Sequence, residues 1–207
     1  VSTSGENGSV RASLSYLYDK NQYPNTHKNK FWYNIGGDLK LGKKASLEGN
    51  LNFTHESAPN TAGYGYGTGY MYNILMWTGP EYDLREYKDY WLIPNEKQNW
   101  HYTDWYDNPY FEAYEKIKAI NNFTTNGSLS FKYEILPWLK LQMRTGGVYN
   151  SNNMVTRSSV GTISKNRGGW RDGALGYYKE AKETSFTMNY DFFLLFDKKW
   201  KDFSIDG

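Results

Sequence analysis

Two long segments of alternating polarity, joined by a very short connection, lie between residues 123 and 149. In the first segment the apolar or small positions are Phe123, Thr125, Gly127, Leu129, Phe131 and Tyr133, and in the second they are Leu139, Leu141, Met143, Thr145 and Tyr149. Side chains alternate between the two faces of a strand, so this period predicts a β-hairpin with one apolar and one polar face. Each strand is about ten residues long, the length with which a tilted strand crosses a bilayer.

The same period recurs along the whole chain and predicts about seven strands. The further segments are residues 10–18, 33–41, 45–54, 185–196 and the last residues from 203. Short connections (residues 42–44, 134–138 and 197–202) alternate with long ones (residues 19–30, 56–122 and 150–183). Outer-membrane barrels have this asymmetry, with short periplasmic turns and long extracellular loops. The pattern therefore predicts an all-β fold: an antiparallel, up-and-down transmembrane β-barrel segment with long extracellular loops. A soluble β-sandwich also has alternating strands and remains the alternative.

Aromatic residues near the predicted strand ends suit two interfacial belts. They are Tyr18, Tyr33, Phe53, Tyr133, Trp138, Tyr149 and Trp200. The mean hydropathy of -0.81 would normally indicate a soluble protein. A membrane barrel, however, hides its apolar side chains at alternate positions of short strands, so a low average does not exclude it.

Charge and cysteine content exclude some function classes. A net charge of +2 without a clustered basic face argues against a nucleic-acid partner. Cysteine is absent, which excludes disulfides and Cys-based metal or redox sites. The sequence predicts no cofactor.

The long connection at residues 56–122 is rich in aromatic residues, whereas a disordered linker would be poor in them. We therefore expect it to fold on itself or on its neighbours, with a short helix over residues 70–77. Trp and Tyr faces stack on sugar rings and dominate protein interfaces. The sequence thus predicts ligand or lid contacts at Trp77, Trp91, Trp100 and Trp105.

Candidate chemistry in this connection is weak. His101 with Asp104 and Asp107 could form an opportunistic cation site at most, and a solvated loop explains them better. The acidic residues Glu81, Asp83, Glu86 and Asp89 are paired as glycoside hydrolysis would need, but a charged loop face explains them better. The sequence therefore predicts no catalytic residue and no metal site. A surface hydrolase acting through one of these carboxylates remains an alternative.

Several stretches, in this order, resemble the SusC/RagA family of TonB-linked outer-membrane proteins. They are residues 11–18 (RASLSYLY), the strand pair over residues 32–53, residues 107–111 (DNPYF), and residues 126–133 (NGSLSFKY) continued by 138–146 (WLKLQMRTG). The resemblance spans most of the chain. It implies a plugged barrel of about 22 strands in the outer membrane of a Gram-negative bacterium. It also implies energy from TonB and a SusD-like surface lipoprotein that captures an oligosaccharide or a peptide.

Residues 1–207 are expected to form only a middle section of such a barrel. Seven strands with two free edges cannot sit in lipid with their backbone groups unpaired. The expected partners are therefore the remaining barrel and plug polypeptide, outer-membrane lipid, the lipoprotein lid, and TonB acting through an N-terminal part that this sequence lacks. The expected substrate is an oligosaccharide, with peptide import and a soluble glycan-binding module as the alternatives.

Overall fold

A computed structural model of the chain describes residues 1–61, 63, 69–102, 106–162, 176–200 and 203–206. The elements in chain order are β1 (Ser2–Gly5), β2 (Gly8–Lys20), β3 (His27–Leu41), β4 (Ala45–Asn60), α1 (Tyr70–Trp77), β5 (Trp91–Ile93), β6 (Lys97–Gln98), α2 (Pro109–Tyr114), β7 (Lys116–Leu136), β8 (Leu139–Ser158), β9 (Tyr177–Trp200) and β10 (Phe203–Asp206). A single 3₁₀ turn covers Leu84–Tyr87. Helix α1 confirms the short helix predicted for residues 70–77. Within the described ranges, no helix has the length and apolar character needed to span a membrane.

Eight strands form one antiparallel sheet in the order β1-β2-β3-β4-β7-β8-β9-β10, and β5 pairs with β6 in a separate small hairpin. The all-β, antiparallel, up-and-down prediction is confirmed. Seven of the eight strands are those predicted from the sequence, and β1 is additional. Over the described residues the sheet does not close on itself, because β1 and β10 are its two edges.

The predicted strand length of about ten residues was wrong for the second half of the sheet. Strands β7, β8 and β9 have 21, 20 and 24 residues. The alternation of apolar and polar side chains ends near residue 149, but backbone pairing between β7 and β8 continues to Ser158. The long connections are therefore shorter than predicted. The turn between β7 and β8 is also shorter than the predicted residues 134–138, and it contains only Pro137 and Trp138.

The strand register joins the apolar faces of six strands into one continuous surface, here called the apolar face. One row across β2, β3, β4, β7, β8 and β9 is Ala12, Ile35, Leu51, Gly127, Gly147 and Met188, and the next is Leu14, Tyr33, Phe53, Thr125, Tyr149 and Phe186. The side chains on this face are exposed: Ile35 is 54%, Leu51 50% and Phe186 68% accessible. Because side-chain direction has a period of two, this register is the one that keeps all the apolar positions together.

The opposite face of the sheet is polar and carries hydrogen bonds between strands. Asn52 donates to Asn126 across 2.9 Å, and Asn34 donates to Asn52, so three adjacent strands share one row of amides. Farther along the sheet, Arg144 forms an ion pair with Asp191 at 2.9 Å. These contacts favour the observed strand register on the polar face, and the apolar rows favour the same register on the apolar face.

Gly37 lies at a point where the sheet leaves no room for a side chain. A Cβ atom at this position would lie 2.4 Å from the Ser9 carbonyl oxygen on the neighbouring strand. We expect Gly37→Ala to destabilise the sheet by about 1–3 kcal/mol, because the backbone of β2 or β3 must shift to accommodate the methyl group. Thermal unfolding followed by circular dichroism measures the change. The control is Gly5→Ala, since nothing lies within 4 Å of a Cβ at Gly5; equal midpoints for the two variants would contradict this account.

Candidate functional site

Most of the buried core of the described residues lies in the connection after β4, and Ala58 at the end of β4 and Ile117 at the start of β7 add to it. The described residues between β4 and β7, together with residues 159–162 after β8, are here called the loop unit. The largest fully buried side chains among the described residues all belong to it: Phe111, Asn73, Asn108, Asp107 and Pro109. The prediction that this connection is folded is confirmed.

Helix α2 begins at a strong local start signal. The Asn108 side-chain oxygen accepts a hydrogen bond from the Tyr110 amide at 2.7 Å, and Pro109 occupies the first turn, where its missing N–H costs nothing. The Asn108 amide group also donates to the carbonyl oxygens of Tyr87 and Asn99, at 2.9 and 2.6 Å. One side chain therefore caps the helix and ties it to two other segments of the loop unit.

Asp107 is the electrostatic centre of the loop unit. Its fully buried carboxylate accepts hydrogen bonds from Gln98 Nε2 at 2.7 Å and Thr162 Oγ1 at 2.6 Å, and Lys116 Nζ lies 2.6 Å away. Lys116 also pairs with Glu112 one helical turn away. These partners come from β6, from the start of β7 and from the segment after β8. The carboxylate therefore holds two long connections together at one end of the sheet.

Burial changes the titration of two groups in the loop unit. It raises the pKa of the Glu112 carboxyl, and the neighbouring Lys116 ammonium opposes that shift. Burial and a hydrogen bond to Glu115 raise the pKa of Tyr90 to about 12. The Tyr90 hydroxyl donates to Glu115 Oε1 at 2.7 Å, and Ser159 donates to the other oxygen of the same carboxylate.

The Tyr90 shift predicts an alkaline loss of stability. Tyrosine in an unfolded chain titrates near pH 10, about two units below folded Tyr90, so the unfolded state loses its proton first. We expect the loop unit to keep its full stability below about pH 10 and to lose it as the pH rises towards 12. Denaturation midpoints followed by tryptophan fluorescence across this range measure the effect. Tyr90→Phe cannot ionise, so it should flatten the dependence; an unchanged slope in this variant would contradict the assignment.

The predicted contact residues occupy different environments. Trp77 stacks on Tyr102 and Tyr106, with ring centroids 4.7 and 4.9 Å apart. Trp91 packs edge-on against Phe111 at 5.3 Å, and Trp100 is only 4% exposed. A ligand could reach Trp100 only after this packing opens. Trp105 lies outside the described residues, and Trp77, Trp91 and Trp100 pack against different aromatic partners.

The connection between β2 and β3, at the same end of the sheet, also contacts the loop unit. Asn25, between β2 and β3, and Asn60, at the end of β4, both donate to the Ala113 carbonyl oxygen at 3.1 Å. The Tyr23 ring packs edge-on against Tyr70, the first residue of α1, with centroids 6.3 Å apart. The described parts of all three long connections therefore form one folded body at one end of the sheet.

The acidic and histidine candidates have structural surroundings. Asp83 caps the 3₁₀ turn and pairs with Arg85, whose hydrogen bonds lower the pKa of Asp83 to about 2. His101 Nε2 lies 2.6 Å from the Trp77 carbonyl oxygen, and Asp107 is occupied by Lys116, while Asp104 lies outside the described residues. No group of three or more His, Asp or Glu side chains in the described part of the chain is arranged to hold a metal ion.

The polar network around Asp107 was missed from the sequence. Only the Asn108-Pro109 pair, a common helix start, could have indicated it. Its other members, such as Gln98 and Thr162, lie in segments without a periodic pattern. Comparison with protein-family models and with curated proteins gives no match for this chain.

Proposed function

We propose that this chain is a segment of an outer-membrane β-barrel that imports a nutrient in a TonB-dependent manner. In this proposal the nutrient is an oligosaccharide that a SusD-like surface lipoprotein captures at the loop unit. The support comes from the geometry of the sheet together with the resemblance of the sequence to the SusC/RagA family.

The height of the apolar face is the observation that carries the membrane assignment. The rows run along β7 from Tyr133, opposite Ala45 and Leu141, to Phe123, opposite His55 and Ser151. Ten residue steps at about 3.3 Å give about 33 Å along the strand, and a tilt near 40° reduces this to about 25 Å. This height equals the apolar band of outer-membrane barrels, about 25 Å. On β8 and β9 the row of Phe123 continues as Ser151 and Thr184, so the apolar positions end one row earlier there, at Tyr149 and Phe186.

Aromatic residues border the band, as the sequence pattern predicts. Tyr33, Phe53 and Tyr149 lie in one row near the long-loop end, and Tyr133 and Trp138 lie at the short-turn end. Tyr18 lies two rows beyond Tyr33, and the side chain of Trp200 is outside the described residues. Amphipathic rings at these two levels are typical of membrane interfaces.

The soluble alternatives fit the same surface less well. A β-sandwich buries its apolar face under a second sheet. Among the described residues the second sheet is only the β5–β6 hairpin, and Leu14 and Phe192 remain 65% and 68% exposed. Lipid tails cover such a face without any further protein layer. A surface hydrolase would need a catalytic pair, and Asp83 is committed to Arg85.

Import requires parts that this chain does not supply. Within the described residues, β10 pairs only with the last four residues of β9, and the edge of β9 from Tyr177 to Phe196 has no strand beside it on that side. In the proposal this edge pairs with a strand of the remaining barrel, and the plug lies against the polar face. Peptide import by the same architecture remains the second candidate, because the loop unit offers aromatic and amide groups to either substrate.

Gentle detergent extraction of the outer membrane, followed by mass spectrometry of the co-purifying polypeptides, tests the assembly. We expect a barrel and plug sequence and a surface lipoprotein to co-purify; recovery of the chain alone in the aqueous fraction would overturn the proposal.

Uptake of labelled oligosaccharides then tests the site. Trp91→Ala should reduce uptake or lid association, whereas Trp138→Ala at the opposite end of the sheet should not, and unchanged uptake and lid association in Trp91→Ala would remove Trp91 from the site.

A further inference from the structure

A ladder of stacked rings marks the border of the apolar face at the long-loop end. Tyr16, Phe31, His55 and Phe123 are direct neighbours on β2, β3, β4 and β7. Successive ring centroids are 4.6, 6.4 and 4.3 Å apart, and the His55 and Phe123 planes differ by only 1°. The ring ladder separates the apolar rows below it from a different kind of row above it.

The next row towards the loops is polar across the six strands and is here called the amide row. It consists of Tyr18, Asn29, Ser57, Asn121, Asn153 and Lys182. It lies on the same side of the sheet as the apolar face, because each member is two residues beyond a member of the ring-ladder row. In the proposed barrel it points outward, just beyond the lipid tails.

Two rings of the ladder orient the amides of this row. The Tyr16 hydroxyl donates to Asn29 Oδ1 at 2.7 Å, and His55 Nε2 lies 2.7 Å from Asn121 Oδ1. Both amide oxygens are thereby engaged by the protein. The Nδ2 groups of Asn29 and Asn121 have no partner within the described residues and remain available as donors. The row therefore offers hydrogen-bond donors to whatever lies outside it.

Positive charge accompanies these donors. Lys182 belongs to the amide row, and Lys20 lies in the row above it. On this side of the sheet the two rows carry one carboxylate within the described residues, that of Glu180. Amide donors combined with lysine ammonium groups suit an anionic, oxygen-rich partner. Charge-assisted hydrogen bonds to phosphate are the strongest hydrogen bonds that these amide and ammonium groups can donate.

We propose that the amide row binds the phosphorylated sugar headgroup of a glycolipid in the outer leaflet. This inference rests on the proposed function, which places the apolar face in lipid and the loop unit outside the cell. The phosphates of such a headgroup accept from Lys182 and from the amides of Asn29 and Asn121. The acyl chains of the same molecule then lie against the apolar rows below the ring ladder, so one lipid contacts both surfaces.

The test uses the detergent-purified protein with its co-purifying polypeptides, reconstituted into phosphatidylcholine nanodiscs. Retention of lipid A, of enzymatically dephosphorylated lipid A and of anionic phosphatidylglycerol is measured by native mass spectrometry. Lipid A should be retained preferentially. Lys182→Gln should weaken the retention of lipid A about tenfold, because it removes a hydrogen bond from a charged donor. Asn121→Ala should weaken it about threefold, because it removes a hydrogen bond from a neutral donor. The matched controls Lys179→Gln and Asn122→Ala alter neighbouring residues on the polar face and should leave retention unchanged.

The outcomes separate this inference from the proposed function. Normal insertion with equal retention of phosphorylated and dephosphorylated lipid A would overturn the headgroup assignment and leave the membrane barrel intact. Equal retention of phosphatidylglycerol, or full competition by inorganic phosphate, would show an unspecific anion surface and would also overturn it. Failure of the assembled protein to insert into any nanodisc would overturn both.

Discussion

Asp107→Ala is expected to destabilise the loop unit by about 3–5 kcal/mol, because it leaves the half-buried Lys116 ammonium with one counter-charge fewer. The substitution also removes the acceptor for Gln98 and Thr162, at 2.7 and 2.6 Å. Buried donors without partners add to the cost. The ladders between β2 and β4 do not involve Asp107, so the sheet should keep its structure while the loop unit opens.

Hydrogen exchange followed by mass spectrometry measures this effect segment by segment. A loss of about 3 kcal/mol corresponds to about a hundredfold faster exchange in the loop unit. Asp107→Asn keeps the shape of the side chain and removes its charge, so it separates the ionic contribution from the hydrogen bonds. Asp89→Ala, at an exposed position in the same unit, is the control. Slow exchange around α2 in Asp107→Ala would contradict the central role assigned to this carboxylate.

Met188→Arg is expected to destabilise the protein in a bilayer by about 2–4 kcal/mol, since Met188 lies in a middle row of the apolar face and an arginine there faces lipid. In water the same change would be nearly neutral, because Met188 is already 41% exposed. The sign and size of the effect therefore depend on whether lipid covers this face. Unfolding from phospholipid vesicles by guanidinium chloride, followed by tryptophan fluorescence, gives the free-energy difference.

Thr187→Arg is the matched control for this prediction. Thr187 is the preceding residue on β9 and lies on the polar face opposite Val148. An arginine there points away from the proposed lipid layer and should change the free energy of unfolding by less than about 0.5 kcal/mol, as is usual for surface positions. Equal effects at residues 187 and 188 would mean that the two faces have the same surroundings, and the membrane assignment would fail.

The apolar face illustrates how far sequence reasoning reaches in this protein. Positions such as Leu51, Leu129 and Phe192 could be assigned to one face because the alternation is a local property of an extended backbone. Their assembly into rows that cross several strands depends on register, which no single strand contains. The strand ends were misplaced for the same reason, since pairing beyond Tyr149 involves polar residues on both strands and leaves no periodic signal.

The sequence by itself determined the strand faces, the up-and-down order and the aromatic nature of the long connections. Only the tertiary structure decided that the described parts of these connections form one body around Asp107, and that Trp100 is buried within it. The Thr162 hydroxyl reaches Asp107 across 55 positions of the chain, and Lys116 reaches it from the start of the next strand. A strand face follows from the geometry of neighbouring residues, whereas a buried charge network exists only where distant backbones bring its partners to hydrogen-bonding distance.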